Sequence, residues 1–190
     1  MQINGVWRQG YVLDYHTVSS SLLGYDGVGN PMFDTTRTEL GELLYRLKYK
    51  RDLRVLDSLV ETAVNFVKSW QISFDAMVTV PPTKVRQLQP VFELGDRFAK
   101  ALEVPLLKDF AQSIKKAKEL KNVFDYQERL KLLENAYRVR DQSVAGKAVL
   151  LFDDLFRSGA TLNAVTRVLY EQAQCSDVYA LALTRTRMIS

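Results

Sequence analysis

Two apolar periods divide this chain. Near its start, Val6 to Tyr25 is rich in Tyr, Val, Thr and Ser with Gly and Asn at the edges, which predicts short strands and turns. Gly24 to Pro31 carries glycines, an Asn and a Pro and reads as a loop. The spacing then becomes helical. Thr36 and Glu39 stand at capping-box distance, and Leu40, Leu43, Leu44 and Leu47 form one stripe. A second helix is predicted from about Leu53 to Trp70, where Leu56, Leu59, Val60, Ala63, Val64 and Val67 recur at helical spacing.

The run AMVTVPP reads as a buried strand stopped by Pro81 and Pro82. Phe92 to Leu102 is helical again, and Val104 to Leu107 is short enough for a small strand. Lys108 to Lys131 is basic and polar with weak periodicity. After it, Ala148 to Phe152 predicts a strand, Thr161 to Gln172 a helix, and Val178 to Leu183 a final strand. Alternating strands and helices point to an α/β fold with a parallel sheet flanked by helices. Residues 1–35 are expected to form a small β-containing cap, and residues 36–190 the α/β domain.

Composition agrees with one globular unit: 190 residues, 47% hydrophobic and 25% charged. The net charge of +4 suits a phosphate-bearing ligand or weak nucleic-acid contact, and solubility explains it equally well. Cys175 is the only cysteine and His16 the only histidine, which argues against a disulfide framework or a transition-metal centre. The opening MQINGVWRQG lacks the charged start and apolar run of a signal peptide, and no segment is apolar enough to span a bilayer, so a cytoplasmic address is expected.

The chemistry concentrates in AVLLFDDLFRSGATLNAVTRVLY. An apolar strand runs into Asp153 and Asp154, and after two apolar residues come Arg157, Ser158, Gly159, Ala160 and Thr161 and then a helix. Ligands of open parallel sheets bind at the carboxyl ends of strands. A turn of small residues lets backbone N–H groups approach an anion, and the helix N-terminus adds a favourable dipole. Ser158 and Thr161 add hydroxyl donors. Carboxylates repel bare phosphate but accept hydrogen bonds from sugar hydroxyls. Acids followed by a phosphate cradle describe a ribose 5-phosphate site. Adjacent aspartates after a strand also occur in metal sites, in nucleoside triphosphatases and as helix caps.

This string resembles the motif that binds 5-phosphoribosyl-1-pyrophosphate (PRPP) in type I phosphoribosyltransferases. The resemblance implies that Asp153 and Asp154 are the catalytic acids holding the ribose hydroxyls, and that Arg157, Ser158, Gly159, Ala160 and Thr161 hold the 5-phosphate. That family usually has Thr-Thr-Gly where Arg157-Ser158-Gly159 stand, so Arg157 departs from the pattern. A wider resemblance runs through ELLYRLKYK, VTVPPTKVRQLQPVFELGDRFAKAL, the lysine-rich stretch and ENAYRV, and is to ComF-type phosphoribosyltransferase-like proteins. Many of those carry an N-terminal zinc ribbon, which a chain with its single cysteine at position 175 cannot build.

From the resemblance, Thr83, Lys84 and Arg86 are expected on the pyrophosphate, and Lys115, Lys116 and Lys118 on a loop that closes over it. For each of these a solvated turn or charged helix face is the plain alternative. Mg²⁺ is expected with the PRPP, bridging its oxygens, with Asp153 the one candidate for a direct contact. The implied reaction transfers a phosphoribosyl group to an unidentified nitrogen acceptor and releases pyrophosphate. The alternatives are a PRPP- or nucleotide-binding regulator without catalysis, or a ComF-like accessory protein with DNA or DNA-uptake proteins as partners. An oligomer stays open. His16 is expected to be a hydrogen-bonded group, Tyr45, Tyr49, Phe66 and Trp70 to be core, and Arg185 and Arg187 to face an acceptor pocket or solvent.

Overall fold

Strands that are apolar without alternation must be covered on both faces, and this requirement organises the molecule. The computed structural model describes residues 1–82, 89–114, 133 and 136–187. Its main sheet has five strands: β1 (Gln9–Tyr15), β4 (Ala76–Thr79), β5 (Leu106–Leu107), β8 (Ala148–Phe156) and β9 (Asp177–Arg185). Their order is β1-β9-β8-β4-β5, and every neighbouring pair is parallel. Side chains alternate between two cores. Val149, Leu151, Ala180 and Ala182 meet one face, whereas Leu150, Phe152, Leu181 and Leu183 meet the other.

Among the described residues, four helices cover the sheet: α1 (Glu39–Lys50), α2 (Leu56–Trp70), α3 (Pro90–Ala101) and α4 (Ala160–Glu171). The first three contribute to the core holding Leu150 and Phe152, and α4 packs into the opposite core through Leu162, Val165 and Leu169. The α1 stripe buries Leu40, Leu44 and Leu47 as its spacing predicts. Its cap is two residues later than expected: Thr36 belongs to a strand, and the Thr38 side chain accepts from the Gly41 N–H at 3.0 Å. Thr38 Oγ1 also donates to the Tyr15 carbonyl at 2.6 Å, seating the helix on the end of β1. A Cβ at Gly41 would lie 2.0 Å from the His16 carbonyl oxygen, so this approach requires glycine.

Two antiparallel ribbons stand apart from the sheet: β2 (Thr17–Tyr25) with β3 (Pro31–Arg37), and β6 (Ala111–Ser113) with β7 (Tyr137–Val139). The stretch expected as a cap therefore divides. β1 is the edge strand of the main sheet, and the β2–β3 ribbon follows it. Within the described residues no helix is long and apolar enough to cross a membrane.

Cys175 is buried beneath this architecture, and burial pushes its thiol up to about 11. Because the thiolate is the reactive form, the native protein at pH 8 should resist iodoacetamide and react only on unfolding. Mass spectrometry of the alkylated product checks this; full labelling of the native chain would contradict it.

Candidate functional site

The chain leaves β4 through α3 to reach β5 on one side, and leaves β8 through α4 to reach β9 on the other. β4 and β8 are neighbours, so their carboxyl ends form a topological switch point, where open α/β sheets bind ligands. A cavity of about 370 Å³ lies there. Its walls are Val80 to Pro82, the start of α3, the end of α1, and Asp153 through Leu162.

The geometry of β8 explains why the acids face this space. Expected to end at Phe152, the strand continues to Phe156. β4 pairs with β8 only up to Thr79 opposite Phe152, whereas β8 goes on pairing with β9 as far as Phe156 opposite Arg185. Asp153 and Asp154 therefore sit on a strand that has just lost its β4 neighbour. Sequence spacing cannot show this, because the length of β8 is set by β9.

Asp153 and Asp154 are both partly buried, and they differ in their partners. Asp153 Oδ1 accepts the Asp154 N–H at 2.8 Å. Burial, followed by the charge of Asp154, raises the Asp153 carboxyl to about 7, with Lys48 pulling the other way. Asp154 Oδ1 accepts Lys48 Nζ at 2.8 Å. Lys48 was not singled out from the sequence, although a signal existed: it follows Leu44 by four residues and adjoins Leu47, on the buried edge of the α1 stripe.

The loop after β8 turns on Gly159, whose φ is 77°. α4 begins at Ala160, one residue before the expected start, and its first turn has no acidic side chain. No side chain caps Gly159; the Ala160 N–H reaches Ser158 Oγ at 3.4 Å. The first-turn amides of a helix have no intrahelical partner, so this end offers N–H groups and dipole to an anion. Arg157 and Ser158 are exposed at its rim, and Thr161 is half-buried on the wall. The structure thus brings Asp153, Asp154 and all five residues from Arg157 to Thr161 into one cavity. Thr83, Lys84, Arg86, Lys115, Lys116 and Lys118 lie outside the described residues.

One aromatic expectation is corrected. Phe66 and Trp70 pack on the core with Tyr11, but Tyr49 is 65% exposed and lines the cavity. It follows the helix C-terminal to the stripe, where the surface turns outward. Its ring lies 5.0 Å from that of Tyr45, which in turn carries the Arg37 guanidinium 3.7 Å above it. Arg185 and Arg187 do not line the cavity. Arg185 lies 5.6 Å from the Phe156 ring, and Arg187 donates to the Thr17 carbonyl at 2.9 Å. His16 is hydrogen-bonded, its Nδ1 3.2 Å from Thr184 Oγ1, and its pKa is lowered by burial and then by the charges of Lys48 and Arg37.

No protein-family model matches the chain. The chain is 27% identical over 152 residues to competence protein ComFC of Bacillus subtilis, covering 76% of this chain and 59% of ComFC. It therefore spans less than two thirds of that relative's length. Among solved structures it is similar to adenine phosphoribosyltransferase of Saccharomyces cerevisiae, solved with adenine and an imino-altritol bisphosphate, at 14% identity and a TM-score of 0.48, covering 87% of this chain and 85% of that one. It is similar to the adenine phosphoribosyltransferase of Thermoanaerobacter pseudethanolicus at 13% identity and a TM-score of 0.49, covering 89% and 95%. A Neisseria gonorrhoeae protein with bound ppGpp gives 12% identity and a TM-score of 0.47, covering 73% of each chain. The chain is thus similar in sequence to ComFC over about three quarters of its length, and its main sheet is parallel throughout with helices on both faces.

Proposed function

We propose that the switch-point cavity binds PRPP and that the protein transfers its phosphoribosyl group to a nitrogen acceptor, releasing pyrophosphate. The observation that carries this reading is the meeting of two adjacent carboxylates and an uncapped helix N-terminus in one cavity. Either alone fits many ligands; together they match the hydroxyl edge and the phosphate end of one sugar phosphate.

In this reading Asp153 and Asp154 accept hydrogen bonds from ribose hydroxyls, and Arg157 to Thr161 surround the 5-phosphate. Thr83, Lys84 and Arg86, and Lys115, Lys116 and Lys118, are assigned to the pyrophosphate by their place in the sequence. The nitrogen lone pair forms the new bond to the anomeric carbon as the bond from that carbon to the pyrophosphate oxygen breaks. Positive charge grows on the ribose, and the acids stabilise it from the hydroxyl side. The rest is positioning. Two carboxylates suit Mg²⁺, which takes one or two such groups and its other ligands from phosphates and water; carried by PRPP, it would offset the charge of the leaving group.

Calorimetric titration of Mg²⁺·PRPP into the protein tests binding, and a pyrophosphate-release assay over a panel of nucleobases and amines tests transfer. Binding with release supports the transferase. Binding without release under every acceptor favours a PRPP-sensing regulator. No binding sinks the proposal. Competence, with DNA or DNA-uptake proteins as partners, enters through the likeness to ComFC; single-strand binding that weakens steeply with salt would support it.

A further inference from the structure

A buried ion pair stabilises a fold poorly, because desolvating both charges offsets their attraction and an apolar pair of similar volume packs as well. Lys48 and Asp154 form such a pair, with side chains only 9% and 15% exposed. They belong to neither apolar core and face the cavity instead. The contact also joins residues 106 apart in sequence, bringing α1 onto the end of β8.

Among the described residues, the neighbouring charged groups lie against other partners. Arg37 pairs with Glu42 and covers Tyr45, His16 Nδ1 bonds Thr184, and Arg185 lies against Phe156. Among the described residues, Lys48 is the cation that reaches Asp154. Its helix is held firmly by the Thr38 contact to Tyr15 and the close approach of Gly41 to His16, so the ammonium is delivered from a rigid element. A carboxylate on a strand end swings about its side-chain torsions unless one oxygen is held. Holding Oδ1 leaves the other oxygen to the cavity.

We infer that Lys48 is a positioning residue, fixing the Asp154 carboxylate so that its remaining oxygen meets the hydroxyl groups of a sugar phosphate. The inference rests on the ribose-phosphate reading of the same cavity and assigns Lys48 to the hydroxyl end of the ligand, not to the phosphate.

The test compares wild type with Lys48→Met, which keeps the volume of the side chain, and with Lys48→Arg, which keeps the charge. Each is titrated with ribose 5-phosphate and, separately, with inorganic pyrophosphate, both with Mg²⁺. Lys48→Met should lose about tenfold or more in affinity for ribose 5-phosphate, since a small misplacement of a binding group has effects of this order. Its affinity for pyrophosphate should stay within about twofold of wild type, and Lys48→Arg should recover most of the loss. Lys48→Gln is read in the same way if Lys48→Met does not fold. Wild-type binding of ribose 5-phosphate with unchanged affinity in Lys48→Met overturns the inference alone. Equal losses for both ligands also overturn it, making Lys48 a phosphate cation. Failure of the wild type to bind ribose 5-phosphate sinks both the site reading and the inference.

Discussion

Asp153→Asn should make the ligand-free protein more stable at pH 8 while weakening its hold on ribose 5-phosphate. The cause is the carboxyl that burial and Asp154 raise from the ordinary carboxylate range to about 7. In the unfolded chain this group ionises near pH 4. Between about pH 4 and pH 7 the folded state retains a proton that the unfolded state has lost, so the contribution of Asp153 to stability falls as pH rises through that window. Above it the folded protein carries the whole cost of the buried charge. Discounted for water entering the cavity mouth, this cost is about 2 kcal/mol.

Asparagine stays neutral and its carbonyl oxygen can still accept the Asp154 N–H. Variant and wild type should therefore unfold alike near pH 4 and diverge toward pH 8, where the variant melts roughly 5 °C higher. Ribose 5-phosphate affinity should fall about 100-fold, because a charged acceptor for hydroxyl donors has been exchanged for a neutral one. Thermal unfolding at several pH values and calorimetry read both effects. A variant less stable than wild type at pH 8, with affinity intact, would show that Asp153 is a structural group.

That trade between stability and binding marks what was legible in advance. The motif from Asp153 to Thr161 could be read because its parts are local: an apolar strand, two acids, small residues, then helical spacing. The parallel sheet could be read because strands buried on both faces are apolar throughout, as at Ala148 to Phe152. Lys48 was missed because its partner lies 106 residues away, and helical spacing says nothing of which distant strand end a side chain meets. Tyr49 was misjudged for a related reason. Its helical spacing suggested core, but spacing along one helix does not show whether the last turn of α1 is covered by the rest of the fold. The edge position of β1 was hidden as well, since its partner β9 closes the chain.

The Gly159 loop makes two local demands on residue type at the cavity. Its φ of 77° is open to glycine and costs other residues about 1–2 kcal/mol. A Cβ there would also stand 2.9 Å from the Phe156 ring, which is buried and has Arg185 lying against it, so the ring cannot easily yield. Gly159→Ala should therefore destabilise the protein by about 3 kcal/mol, strain and overlap together. It should also pull the first turn of α4 out of line with the cavity, lowering affinity for ribose 5-phosphate about 30-fold. Gly146→Ala supplies the control, with a similar φ of 69° but open space around its Cβ. It should lose only the backbone share, about 1 kcal/mol, and bind as wild type does. Equal effects of the two variants on stability would mean that Phe156 moves aside. Equal affinities would mean that the amides of α4 do not meet the phosphate, and the anion would have to be held by the exposed Arg157 and Ser158 instead.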